Sequence, residues 1–132
     1  MSVWTHVAAI FRVDSLRFAN EDFDFGKVFG KECLWRSDSK TWDDQRANPD
    51  SYLPTGSEGS LRISVWDNPD KHHLAAYTVS VFGDLRDYDD VDALGKWFRK
   101  TCRKTWIRQA VCHVMCENGV TRVWQSRSRA FT

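Results

Sequence analysis

The chain has 132 residues, is 42% hydrophobic and 14% aromatic, and carries a formal net charge of +1. That length fits one domain, 1–132, able to bury its own core. No apolar run approaches the ~20 residues of a membrane span, and the N-terminus lacks a charged region followed by an apolar one, so a soluble intracellular protein is expected and a membrane role is not.

The small net charge hides a division. Residues 1–92 hold 10 Lys/Arg and 17 Asp/Glu, a net of −7, whereas residues 93–132 hold 9 Lys/Arg and only Glu117, a net of +8. Such polarity can attract an anionic ligand or nucleic acid, pair one protomer with the next, or be neutralised within the fold. Seven Trp and eight Phe are many for this length, and aromatic side chains serve interfaces as well as cores. The four cysteines have no framework spacing, and a domain of this size needs no staple, so reduced thiols are expected.

In chain order, Val3–Val13 alternates Val3, Val7, Ala9, Phe11 and Val13 against Trp4, His6, Ala8, Ile10 and Arg12, the pattern of a strand with one apolar face. Asp14 and Ser15 suit the cap of a short helix. Residues 36–60 are polar and turn-rich, with a helical turn expected near Thr41–Arg46. Leu61–Trp66 and Ala75–Gly83 alternate around Asp67-Asn68-Pro69-Asp70 and predict a strand–turn–strand unit. Asp89 and Asp90 open a helix over about 89–104, with Val91, Leu94, Phe98 and Cys102 on one stripe. Ile107–Cys116 and Val120–Gln125 flank Asn118-Gly119, which reads as a two-residue hairpin turn. That turn sets Met115 opposite Arg122, His113 opposite Trp124 and Val114 opposite Val123.

The order predicts an α+β ferredoxin-like sandwich: an antiparallel sheet, one well-defined helix and a C-terminal hairpin. Helices then cover one face. The other collects Trp66, His113, Met115, Arg122 and Trp124, with Trp4 and His6 near them, either as a platform for stacking or docking or as a second core face covered by residues 36–60. A second candidate surface is the basic patch of Lys96, Arg99, Lys100, Arg103, Lys104 and Arg127, suited to phosphates, although a helix face matched to its own dipole explains it equally.

Other chemistry finds less support. The carboxylates Asp84, Asp87, Asp89, Asp90 and Asp92 lack the Gly and terminal Glu of a calcium loop. Cys112 and Cys116 lie ~13 Å apart on a strand, too far for one zinc. Gly-x-Ser-x-Gly and Walker-type loops are missing, which leaves only generic options such as a Cys112–His6 pair. No cofactor and no metal is expected.

The segments MSVWTHVAAIFRVD (1–14) and LPTGSEGSLRISVWDNPDKHHLAAYTVSVFGDLRDYDD (53–90) resemble small phage and prophage accessory proteins. The resemblance implies action in a bacterial cytoplasm on a host protein or a signalling molecule, with antagonism of host defence among the roles such proteins take. It transfers no active-site residues. The expectation is therefore a non-enzymatic, homo-oligomeric binding protein for a host protein or small anionic ligand. Two alternatives stand beside it: nucleic-acid or nucleotide binding through Arg99, Arg103, Arg122 and Arg127, and a small enzyme using His6 or His113 with a carboxylate.

Overall fold

Strict alternation in the first strand divides the molecule into two faces. In the computed structural model, which describes residues 2–18, 24–33, 47–67, 74–88 and 90–127, strand β1 (Trp4–Phe18) buries Thr5, Val7, Ala9, Phe11 and Val13 on one side. His6, Ala8, Ile10 and Arg12 project from the other. β1 is central and pairs antiparallel with β3 (Leu74–Arg86) and β4 (Ile107–Cys116). β2 (Gly59–Asp67) lies outside β3, and β5 (Thr121–Arg127) lies outside β4. The sheet order is β2-β3-β1-β4-β5. Helix α1 (Phe25–Phe29) falls between β1 and β2, and helix α2 (Val91–Cys102) between β3 and β4. This is the ferredoxin-like α+β arrangement, with a fifth strand added beside β4.

Both helices lie on the odd-numbered face of β1. The Phe11 ring is 5.0 Å from Phe29 of α1 and 5.5 Å from Phe98 of α2, ring centre to ring centre. Trp97 Nε1 donates to the Phe29 carbonyl at 3.1 Å and ties the helices together. Val91, Leu94 and Phe98 are buried as the stripe predicts, and the Asp90 carboxylate caps the helix by accepting from Ala93 N at 3.2 Å. The described part of the polar segment joins this side too. Leu53 is buried in the same core, and Asp50 pairs with Lys100 of α2 at 3.1 Å.

The helix expected after Asp14 does not form. β1 continues to Phe18, because a central strand has partners for its backbone on both sides: Asp14 and Ser15 pair with Ala76 and Ala75, and Asp14 N donates to the Trp106 carbonyl at 3.1 Å. Of the turn expected over 67–70, Asp67 ends β2 and the rest falls outside the described residues, as does the helical turn expected near 41–46.

The C-terminal hairpin departs by one residue from the predicted register. Cys112 pairs with Trp124, His113 with Val123, Val114 with Arg122 and Met115 with Thr121. A two-residue turn of the predicted type needs positive φ at both central residues, but Asn118 is not among the residues with positive φ. The loop instead has three residues, Glu117–Gly119. Gly119 N donates to the Cys116 carbonyl at 2.9 Å, Cys116 N donates to the Val120 carbonyl at 2.8 Å, and only Gly119 takes φ +98°. Glu117 is held by β1: its N–H donates to the Trp4 carbonyl at 3.0 Å, and its carboxylate accepts from Trp4 N at 2.8 Å. Extending the β1–β4 ladder through Glu117 takes that residue out of the β4–β5 pairing.

A slip of one residue exchanges the faces of a strand. Trp124 therefore lies on the helix side, half-buried against the core, and Arg122 shares that parity. Gly95 of α2 makes room for the indole. A Cβ at position 95 would lie 2.7 Å from the Trp124 ring carbons Cε2 and Cζ2. Alanine ordinarily strengthens a helix interior relative to glycine by about 1 kcal/mol. Here the overlap reverses the sign. Gly95→Ala is expected to destabilise by about 1–2 kcal/mol, and in a Trp124→Val background the same change becomes neutral or stabilising. Urea unfolding of the two single variants and the double variant measures this coupling.

Candidate functional site on the open sheet face

The face that the described residues leave exposed is ordered in rows, because directly paired residues of antiparallel strands stand about 5 Å apart on the same side. From β2 to β5 one row reads Arg62, Phe82, Ala8, His113, Val123, and the next reads Ser64, Ser80, Ile10, Val111, Gln125. A third reads Trp66, Thr78, Arg12, Gln109, Arg127. At the opposite end Ser60, Asp84, His6, Met115 and Thr121 form the fourth.

These rows carry most of the large apolar side chains left to solvent. Phe82 is 46% exposed, Ile10 49%, Met115 48%, Val123 52% and Trp66 54%. Phe82, Ala8, Ile10 and Met115 form an apolar band over the middle strands, with Val123 beyond His113 on the edge strand β5 and Trp66 on the opposite edge strand β2. A large apolar group left on an open sheet is informative in a way that a scattered surface leucine is not.

Of the predicted sheet-face residues, the structure brings Trp66, His113 and Met115 to this face and takes Arg122 and Trp124 away from it, for the register reason above. Phe82, Ile10 and Val123 were missed. Their signal was available in part: Ile10 belongs to the polar parity of β1, and Phe82 alternates with Val79 and Val81, both buried.

The predicted basic patch also divides. Lys96, Arg99, Lys100, Arg103 and Lys104 are exposed on and just beyond α2, with Lys100 paired to Asp50. Arg127 lies on the opposite side of the sheet, in the row of Gln109 and Arg12.

Titratable groups on the face do not assemble a nucleophilic site. His6 Nδ1 and Asp84 Oδ1 are 2.7 Å apart, with side chains 41% and 58% exposed. Of the two hydroxyl residues in that row, Ser60 lies beyond Asp84 and Thr121 beyond Met115, so neither stands beside His6 as a serine–histidine–carboxylate relay requires. Cys112 faces the helices and His6 the open side, so the two cannot pair. Burial pushes the Cys112 thiol up to about 12, with Cys102 nearby as a second cause, and burial likewise raises Cys33 and Cys102. Thiols so shifted are poor nucleophiles at neutral pH. The neighbouring acidic residues have structural duties. Asp87, itself at φ 55°, accepts from Val3 N at 3.3 Å and from Ser57 Oγ at 3.1 Å, and Asp90 caps α2. Among the described residues no cluster of His, Cys, Asp and Glu is arranged to hold a metal, and no helix is long and apolar enough to cross a membrane.

No protein-family model matches the chain, and no curated protein matches it. Among solved structures it is similar to a phage SAM lyase in the apo state, at 13% identity and a TM-score of 0.42, covering 93% of this chain and 90% of that one. A likeness of this size transfers neither residues nor chemistry.

The Cys112 shift has a measurable sign. The thiol is raised above its ordinary 9.0 in the folded state, so the stability linked to keeping it neutral is complete below pH 9 and lost as pH rises toward 12. The stability difference between wild type and Cys112→Ala should be constant from about pH 7 to 8.5 and narrow steadily above pH 9. Denaturant midpoints across that range test this, and an unchanging difference up to pH 11 would contradict it.

Proposed function

We propose that the chain is a non-enzymatic binding protein whose open sheet face docks a separate protein partner. The observation that carries this reading is the apolar band of Phe82, Ile10 and Met115 with Val123 beyond it, each about half exposed on one face. Strand spacing of about 4.8 Å and a rise of about 3.3 Å per residue make the middle of the face, five strands by six residues, roughly 480 Å². Two matched surfaces of that size bury roughly 1,000 Å² in total, enough for a transient complex and well short of the 2,000 Å² or more of obligate dimers. That comparison favours a partner that comes and goes over a permanent second copy.

The rim supports the same reading. Arg62, near Glu32 at 3.8 Å, and the His6–Asp84 pair border the band with polar groups, the arrangement of an apolar centre inside a polar edge. The resemblance of segments 1–14 and 53–90 to phage and prophage accessory proteins points to a host protein in a bacterial cytoplasm as the partner, and interference with host defence fits that origin.

The test uses the full chain as bait in a bacterial lysate, followed by purification of the captured protein and titration against wild type, Phe82→Asp and Val123→Asp. Both substitutions fall on exposed positions, so circular dichroism and melting should be nearly unchanged. Binding should weaken by about tenfold or more, as for a desolvated contact at the centre of an interface. Equal affinity for both variants would overturn the proposal. So would a stable dimer in sedimentation that both variants dissolve, since that assigns the face to a second copy.

A further inference from the structure

Next to the apolar band, at the end of the face away from His6 and Asp84, the surface sinks into a basin of about 690 Å³. Its floor is the Ile10–Val111 pair, its sides are Thr78, Gln109 and Gln125, and Arg12 and Arg127 stand at its rim. An adjoining hollow of about 400 Å³ is lined by Arg12, Arg108, Gln109 and Arg127.

The convergence of three arginines has a specific backbone cause. Arg12 pairs with Gln109, but the next residue of β1, Val13, pairs with Ile107, so Arg108 is an extra residue in β4. A bulge of this kind re-aims a side chain that strict alternation would send to the other face. Arg108 thereby lines the same hollow as its neighbour Gln109. Asp14 holds the group in place: it accepts from Arg12 Nε at 2.8 Å and lies 3.6 Å from Arg108 Nη1. Arg12, Arg108 and Arg127 thus line one hollow, with Asp14 pairing to the first two.

We propose that this basin binds a free nucleotide, with the base lying on Ile10 and Val111, the amides of Gln109 and Gln125 at its edge, and the phosphate held by Arg127 and Arg108. The chemistry of each part selects that class. An apolar pair, Ile10 and Val111, flanked by amides accepts a planar heterocycle, because each amide offers both donor and acceptor to a base edge. Guanidinium groups bind phosphate through paired, charge-assisted hydrogen bonds. The volume lies within the roughly 300–1,000 Å³ of small-molecule sites. The basin shares Ile10 with the apolar band, but its polar groups, Arg12, Arg108, Gln109, Gln125 and Arg127, lie outside that band and the proposal rests on them.

Calorimetric titration of the full chain with AMP, GMP, ADP, adenosine and inorganic pyrophosphate tests it. At least one nucleotide should bind saturably, with adenosine or guanosine and pyrophosphate each about tenfold or more weaker than the matching nucleotide, since each lacks one half of the recognition. Arg127→Gln and Arg108→Gln should each weaken the nucleotide about tenfold and reduce its salt dependence. Gln125→Leu should change the preference between AMP and GMP. Phe82→Asp, which is expected to disable protein docking, should leave nucleotide affinity within about twofold, as expected for separate sites. The proposal is overturned if no nucleotide binds at millimolar concentration, if pyrophosphate binds as well as ADP, if Arg127→Gln has no effect, or if single-stranded oligonucleotides bind while mononucleotides do not.

Discussion

The indole of Trp124 resting over Gly95 is the contact on which the division of this molecule depends. β5 is an edge strand with one neighbour, so its parity is set by a single ladder and by whatever its side chains meet. With Trp124 turned toward α2, the core gains an aromatic ring at its margin, and Val123 is left on the opposite face beside His113. With the other parity, an indole would stand on the open sheet and a valine would reach toward a helix that has no side chain at position 95. The missing side chain of Gly95 weakens the helix locally, and the ring fills the space it leaves. Helix, hairpin loop and outer strand therefore specify one another.

From that division follow the two surfaces. The helix side is closed by Phe11, Phe29, Phe98 and Leu53, all essentially inaccessible to solvent. The other side keeps half-exposed Phe82, Ile10, Met115 and Val123, which a sheet covered on one face only can do without disturbing the core. The charge division along the sequence is distributed rather than concentrated. The lysines and arginines of α2 lie over the helix layer, while Arg108 and Arg127 join Arg12 from the acidic half on the open face. A split that looks like a single basic patch in sequence is two surfaces on opposite sides of the sheet.

Much of this was legible from local pattern. The alternation of β1 sorted buried from exposed residues correctly, because a half-covered strand writes its faces into every second residue. The stripe of Val91, Leu94 and Phe98, with Asp90 before it, located α2, and the limits of β4 fell where alternation begins and ends. What failed was non-local. Asn118-Gly119 alone reads as a two-residue turn; the third loop residue arises because Glu117 bonds to Trp4, more than one hundred positions earlier. Asp14 and Ser15 look like a helix cap until β3 and the Trp106 carbonyl take the backbone. The basin of Arg12, Arg108 and Arg127 needs three strands in register and a bulge, none of which has a local signature. One overlooked signal was Gly95 itself, since glycine inside a helix stripe marks a close approach.

The β4–β5 register decides which side chains of the hairpin face a partner. Cross-strand nuclear Overhauser contacts between backbone protons of the two strands measure it directly. Contacts pairing Cys112 with Trp124 and His113 with Val123 are predicted. Contacts pairing Cys112 with Gln125 and Val114 with Val123 would contradict the account and place Trp124 on the open face.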